Sequence, residues 1–144
     1  MIRKASNQDI TAISELALKL WPYRSRQELK DEFTAVISSE NSAVFLSEIG
    51  SKAVGFAQCQ LRNDYVEGTR SNPVGYLEGI FVEKENRHCG IARELLRYCE
   101  QWARSMGCTE FASDCELNNE DSFNFHRKVG FAEANRIICF IKKL

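Results

Sequence analysis

The sequence predicts a mixed α/β fold of the α+β type, in which a mostly antiparallel central sheet is flanked by helices. Three observations support this fold class. Strand and amphipathic helix patterns follow the order βααβββαβαβ, three strand patterns stand together in mid-chain, and no repeat or Pro/Gly-rich linker divides the chain. A length of 144 residues suits one domain, so we expect residues 1–144 to fold as a single unit.

The first third of the chain predicts a short strand followed by two helices. Ser6 and Asp9 have the spacing of a capping box, and apolar residues then recur on one helical face. Pro22 ends that helix because a proline cannot continue the backbone hydrogen bonds. Ser25 and Glu28 form a second capping box, which predicts the start of the second helix.

The remainder of the chain predicts five or six strands and two helices. Apolar and β-branched runs predict strands, and helical spacing of apolar residues predicts the longer helix, which ends at Gly107. The predicted strands cover residues 42–49, 52–62, 74–82 and 110–117 and a closing strand or strand pair at 131–143; the predicted helices cover residues 91–106 and 118–129.

Composition excludes several classes of function. The chain is 44% hydrophobic and 27% charged with a net charge of −1, which argues against disorder and against nucleic-acid binding by general basicity. It has no apolar run long enough to cross a membrane and no signal peptide, so we expect a cytoplasmic protein. The six cysteines form no C-x-x-C pair and only two histidines are present, so we expect no metal site and mostly buried, reduced thiols.

The stretch RHCGIA, residues 87–92, predicts an anion site between a strand and a helix. The first turn of a helix has free N–H groups and the positive end of the helix dipole. Gly90 and Ala92 would let a phosphate group approach this backbone, and Arg87 could add charge-assisted hydrogen bonds. The stretch lacks both the G-K-[ST] ending of a Walker A loop and the G-x-G-x-x-G pattern.

Two motifs resemble the GCN5-related N-acetyltransferase family. The first is the strand ending GIFV followed by R-x-x-G-x-A, and the second is the stretch NNEDSFNFHRKVGF, residues 118–131. The resemblance implies that fold and acetyl-coenzyme A as co-substrate, bound without a metal. The coenzyme contacts that it implies, together with Arg87, are Ile80, Phe81, Val82, His88, Cys89, Gly90, Ile91, Ala92, Arg93 and Asn119.

A longer match is similar to the aminoglycoside 6'-N-acetyltransferases within that family. It runs from Arg62 to Val82 as RNDYVEGTRSNPVGYLEGIFV, with further matches at KLWP and GCTEFASD. The resemblance implies transfer of an acetyl group to the 6'-amine of aminoglycoside antibiotics, which would give resistance. The substrate contacts that it implies are Trp21, Arg24, Tyr65, Glu78 and Asp114, with Asn135 where relatives commonly carry a glutamate.

The implied reaction is direct attack of a neutral amine on the thioester in a ternary complex, because no Cys or Ser nucleophile with a base partner is evident. Glu78, a carboxylate in an apolar strand, is the expected base for the amine. His126 stands where many family members have a tyrosine that protonates the departing thiolate, and it is the second catalytic candidate.

Three further expectations concern partners and alternatives. The resemblance and the apolar closing strand indicate a homodimer, with no nucleic-acid or membrane partner. One alternative function is acetylation of another small amine or of a peptide amine, which a screen across amines would separate. The other is a coenzyme-A-binding module without activity, which an assay for turnover would separate.

Overall fold

The computed structural model describes residues 1–144 and contains a five-stranded sheet with four α-helices, which confirms the predicted fold class. The strands are β1 (Ile2–Lys4), β2 (Ser42–Ile49), β3 (Lys52–Arg62), β4 (Val74–Val82) and β5 (Phe111–Ala112). The helices are α1 (Ile10–Leu20), α2 (Arg26–Ser38), α3 (Ile91–Ser105) and α4 (Glu120–Lys128).

Both predicted capping boxes are present at the starts of the first two helical segments. Ser6 precedes a single 3₁₀ turn, which leads directly into α1, and the Asp9 carboxylate accepts a hydrogen bond from the Ser6 backbone N–H at 2.8 Å. Ser25 caps α2 by accepting a hydrogen bond from the backbone N–H of Glu28 at 3.1 Å. Local sequence therefore sets where these helices begin.

The strands lie in chain order across the sheet, and only β4 and β5 are parallel. The ladder between β4 and β5 ends at the pair Tyr76 and Ala112, so β4 continues beyond it without a neighbour on that side. On its other side β4 carries a β-bulge, because Gln58 pairs with Gly79 whereas Cys59 pairs with Leu77. The two irregularities meet along the same part of β4 and open a wedge between β4 and β5.

The sheet separates two hydrophobic cores, and alternate residues of the strands face opposite sides. Phe56 packs with α1 and α2 through Ile13 and Phe33. The next residue, Ala57, belongs to the core beneath α3, which includes Leu95. Three layers result, with β4 fixed between α3 and the α1–α2 pair.

Two strand predictions are corrected by the structure. The strand expected at 110–117 is limited to the two residues of β5. The closing strand expected at 131–143 is wrong for the single chain, because residues 131–144 have no strand partner. Side chains of this closing segment are largely exposed, and Phe140 and Ile141 are exposed to 91% and 94%.

Two expectations from composition have different outcomes. All six cysteines are free thiols, but only Cys59, Cys99 and Cys108 are buried, so the expectation of mostly buried thiols is wrong. No helix of the chain is both long and apolar enough to span a membrane.

Candidate active site

Glu78 is the extra residue of the β4 bulge, and its carboxylate is half-buried in the wedge. Arg62, at the end of β3, donates to both oxygens of this carboxylate, from Nη2 at 2.9 and 3.1 Å and from Nε at 3.2 Å. A bulge changes the direction of a side chain relative to the regular pleat. The carboxylate is therefore held at a fixed place with a guanidinium as its partner in the free protein.

A second carboxylate, that of Asp114, is linked to the first through Tyr76 and Arg62. Asp114, just after β5, accepts a short hydrogen bond from the hydroxyl of Tyr76. The Tyr76 ring lies under the guanidinium of Arg62, whose carbon is 3.4 Å from the ring centroid. Burial and the hydrogen bond to Asp114 raise the pKa of Tyr76 well above its usual range, so this phenol stays protonated and acts as a donor.

Trp21 packs on the backbone of β4 next to Glu78. A Cβ atom added to Gly79 would lie 2.7 Å from each of two atoms of the Trp21 ring, which is too close for nonbonded atoms. Only glycine therefore leaves room for the ring at this position. The same ring meets Phe56 edge-on, with centroids 6.3 Å apart, which fixes its plane. Trp21 is thus a half-buried aromatic wall next to the bulge.

The polar loop after β3 forms an exposed acidic rim. Tyr65 donates its hydroxyl hydrogen to Glu67 at 3.0 Å, and this bond raises the pKa of Tyr65. Asn135, in the closing segment, donates to the other oxygen of Glu67 at 2.9 Å. The amide of Asn135 therefore lies on this loop, with Glu67 as the nearest carboxylate.

The side chain of Arg24 makes its hydrogen bonds to α2 and not to the groups described above. Its guanidinium donates to Glu32 at 2.6 Å and to Glu28 at 3.3 Å, both on α2. These ion pairs neutralise its charge, which would otherwise repel a cationic ligand. A substrate contact by Arg24 stays a prediction.

The RHCGIA stretch forms the turn that the sequence predicts. Gly90 is the N-cap of α3 in the left-handed conformation, with φ of +85°, and a Cβ added there would meet nothing within 4 Å. His88 also has a positive φ, of 63°. The turn therefore presents the first amides of α3 to open space, as an anion site requires.

Arg87 uses its side chain differently from the prediction. Its Nε donates to the carbonyl of Val82 at 2.8 Å, and its guanidinium lies over the Phe81 ring at 5.5 Å. These contacts tie the turn to the end of β4. The other predicted coenzyme residues, from Ile80 to Arg93, form one continuous edge from β4 to the start of α3.

The last predicted residues lie on α4, which faces the wedge from the side of β5. Asn119 is the N-cap, and its side-chain oxygen accepts from the backbone N–H of Ser122 at 3.1 Å. His126, about two turns after Asn119, lies 2.7 Å from the Oγ of Ser113 through its Nε2 atom. The structure thus brings α4, the end of β5 and the β4 bulge together.

Sequence reasoning missed three residues of this site: Arg62, Tyr76 and Ser113. A half-buried carboxylate such as Glu78 requires a hydrogen-bonding or cationic partner, which was a signal for an arginine nearby. The sequence does not say which arginine this is, because Arg62 and Glu78 are 16 residues apart and meet only through the β3–β4 pairing. No cluster of three His, Cys, Asp or Glu side chains lies close enough to hold a metal ion.

Comparison with known proteins places this geometry in a family. Residues 10–131 match the model of the acetyltransferase (GNAT) family. The chain belongs to this family. It is 39% identical to the aminoglycoside N(6')-acetyltransferase type 1 of Stenotrophomonas maltophilia, over 96% of this chain and 90% of that protein.

Two solved structures of acetyltransferases superpose on the whole chain. The aminoglycoside 6'-N-acetyltransferase AAC(6')-IG of Acinetobacter haemolyticus is 35% identical, with a TM-score of 0.95 over 100% of this chain and 99% of that one. AAC(6')-Iy, in complex with the bisubstrate analogue CoA-S-monomethyl-acetylneamine, is 32% identical, with a TM-score of 0.96 over 100% and 98%. The wedge described above is thus the candidate active site of a GNAT acetyltransferase.

Proposed function

We propose that this chain, folded as one domain of residues 1–144, is an aminoglycoside 6'-N-acetyltransferase that uses acetyl-coenzyme A. The observation that carries the proposal is the carboxylate of Glu78, half-buried at the β4 bulge, in a chain 39% identical to an aminoglycoside N(6')-acetyltransferase. A carboxylate in that position needs a cation. Arg62 is this cation in the free protein, and the ammonium group of a substrate takes its place in the complex.

The walls of the wedge suit a polycationic sugar. Glu78, Asp114 and Glu67 place three carboxylates from the floor to the rim. Trp21 and Tyr65 add aromatic faces against which sugar rings pack. The acidic field favours arrival of an aminoglycoside, whose amines are mostly protonated near neutral pH.

The coenzyme fits the edge from β4 to α3. The open left-handed turn at Gly90 leaves the amides from His88 to Arg93 for the pyrophosphate, and Asn119 lies further along the same face. Backbone N–H groups alternate between the two sides of a strand, and Phe81, two residues before the Glu83 N–H that bonds Val54 on β3, directs its N–H to β3. The N–H groups of Ile80 and Val82 point to the side without a neighbour and remain for the thioester and its oxyanion. The coenzyme supplies the acetyl group as a thioester.

The reaction is direct transfer within a ternary complex. Glu78 exchanges Arg62 for the 6'-ammonium group, accepts its proton directly or through water, and orients the neutral amine for attack. Asp114, held by Tyr76, anchors another amine of the sugar. His126, across the wedge, belongs to the path that returns a proton to the departing thiolate. Acetylation removes one positive charge from the antibiotic and so gives resistance.

The proposed assembly is a cytoplasmic homodimer. Residues 137–144 carry five exposed large apolar side chains and have no strand partner, and β5 has a free outer edge. Unpaired strand edges and exposed apolar side chains are the features that a partner chain covers. The closing segment would therefore pair as a strand with a second copy, which accounts for its strand-like sequence.

Release of coenzyme A, measured against two matched acceptors, tests the activity. Neomycin and paromomycin differ in having an amine or a hydroxyl at the 6' position. The proposal predicts turnover with neomycin and only background with paromomycin. Equal rates with both antibiotics, or turnover confined to small or peptide amines, would contradict it.

A further inference from the structure

His126 has hydrogen bonds at both ring nitrogens. Nδ1 lies 2.7 Å from the backbone carbonyl of Ser122, and Nε2 lies 2.7 Å from the hydroxyl oxygen of Ser113. A carbonyl oxygen only accepts hydrogen bonds, so Nδ1 carries a proton in either charge state. The neutral ring therefore accepts the Ser113 hydrogen at Nε2, whereas the imidazolium form donates a proton to the Ser113 oxygen.

Ser113 stands at the point where the sheet opens. It follows β5 directly, one residue beyond the last ladder pair, and its Oγ lies 3.5 Å from the carbonyl oxygen of Leu77. Leu77 immediately precedes the bulged Glu78 on β4. The Ser113 hydroxyl therefore lies where β4 and β5 separate, beside the residue that precedes the proposed base.

The imidazole is fixed rather than mobile. Its ring lies 5.1 Å from the Phe131 ring and 5.7 Å from the Phe125 ring, and its carbonyl partner belongs to the first turn of α4. With Nδ1 held by a carbonyl and Nε2 by a hydroxyl, no ring nitrogen is left for a ligand. Ser113 is the member of the pair whose oxygen can still make a contact in the wedge.

We infer that Ser113 is the catalytic residue that protonates the coenzyme thiolate, and that His126 is a positioning residue and proton source behind it. The inference rests on the proposed function for the presence of a thioester. When the C–S bond breaks, its electron pair goes to sulfur, and the Ser113 hydroxyl proton forms the S–H bond. Ser113 then takes the Nε2 proton of the imidazolium, which leaves a neutral imidazole that solvent reprotonates.

Calorimetry with coenzyme A and desulfo-coenzyme A tests the contact without any turnover. Near pH 9 a substantial fraction of the coenzyme thiol is ionised. The single hydrogen of the Ser113 hydroxyl then turns from Nε2 to the negatively charged sulfur, and this bond should favour the sulfur-containing ligand by about tenfold. Ser113→Ala should abolish this preference and leave the affinity for desulfo-coenzyme A unchanged. Ser38→Ala, which removes a hydroxyl bonded within α2, is the control and should keep the preference.

An unchanged preference in Ser113→Ala would overturn the inference. Because this measurement needs no amine, it separates the role of Ser113 from the choice of acceptor. If the wild-type protein transfers acetyl to no aminoglycoside, the proposed function fails, and the binding comparison still decides whether Ser113 meets the sulfur.

Kinetics give the second test. Ser113→Ala should lower kcat by about 10²-fold with acetyl-coenzyme A at unchanged KM, and Ser113→Thr should restore most of it. The loss should shrink with an aryl thioester donor, whose thiolate leaves without a proton. His126→Phe should add little to Ser113→Ala, because the two residues act as one unit. Fully additive losses, or equal losses with both donors, would contradict the inference.

Discussion

Glu78 is the one residue of β4 without a partner on β3 in an otherwise regular ladder, and this bulge sets the direction of its side chain. Without the bulge between Gln58 and Cys59 on the facing strand, the pleat of β4 would continue and the carboxylate would lie in a different direction. Arg62 then makes its half-burial tolerable by three hydrogen bonds. The role proposed for this residue thus depends on strand register as much as on residue type.

Replacing Glu78 by glutamine removes the negative charge and the base but keeps the size. We expect kcat/KM for an aminoglycoside to fall by on the order of 10²-fold at neutral pH, while the affinity for acetyl-coenzyme A barely changes. The loss should shrink at high pH, where more of the free amine is already neutral. Steady-state rates across pH and calorimetry with the coenzyme measure both effects.

Glu85→Gln is the matched control for this substitution. Glu85 is an exposed carboxylate 3.8 Å from Lys52, and losing it should change neither rate nor affinity. Near wild-type kcat/KM for Glu78→Gln would remove this residue from the mechanism. A loss that stays uniform across pH would leave it as a binding residue only.

At the scale of elements, we expect coenzyme binding to depend on the start of α3. Gly90→Val places a β-branched residue at φ of +85° and directs its side chain into the space before the helix. We expect acetyl-coenzyme A to bind at least about tenfold more weakly, roughly 1.4 kcal/mol, by calorimetry.

Gly107→Val separates strain from blocked binding. Gly107 has φ of +89°, also with nothing within 4 Å of an added Cβ, but it follows the other end of α3. It should cost similar stability and leave coenzyme affinity unchanged. If both variants bind the coenzyme equally well, the turn at Gly90 does not hold the pyrophosphate.

Local elements were predictable from the sequence, and long-range ones were less so. Ser6, Ser25 and Gly107 fix helix ends through neighbours within a few residues, and the structure has all of these ends near the predicted places. A strand requires a partner that its own sequence does not identify. The closing segment has a strand-like sequence and yet pairs with nothing in its own chain.

The candidate site divides in the same way. Glu78 and the RHCGIA turn stood out because a charge in an apolar strand and a glycine at a helix start are local anomalies. Ser113 did not, since a serine after a strand is common and its meaning comes from His126, 13 residues away. Only the packing of α4 against the end of β5 brings the two together.

For the whole molecule, the exposed closing segment predicts the state of assembly. Sedimentation of the wild-type protein should give twice the chain mass of 16.5 kDa, and replacing Phe140 and Ile141 by aspartate should give a monomer, because charges prevent burial of this segment. Ile49→Asp, an equally drastic change at an exposed site on β2, should remain dimeric. A monomeric wild-type protein at working concentration would reject the dimer.

Acid stability should depend on a cluster that joins β1, β2 and the start of α1. Arg3 donates to Asp9 at 2.8 and 2.9 Å and to Glu48 at 3.0 Å, and these bonds hold the pKa of Asp9 well below its usual range. A lowered pKa in the folded state contributes stability above the unfolded value, near 4, and this contribution is lost as pH falls further.

Asp9→Asn tests this contribution by urea unfolding. We expect the free energy of unfolding to fall by about 2 kcal/mol at pH 7 and the difference from wild type to shrink steadily below about pH 4. Asp31→Asn, at an exposed carboxylate on α2 that accepts only from Gln27, should change little at either pH. A constant difference across this range would assign the effect of Asp9 to packing instead of charge.

The position of the transferred acetyl group tests the central claim most directly. A kanamycin-type acceptor carries several amines, and the proposed function places only its 6'-amine beside Glu78 and the thioester. Mass spectrometry and two-dimensional NMR of the product should find one added acetyl group, attached to the 6'-nitrogen. A product acetylated at another amine, or a mixture of positions, would contradict the account.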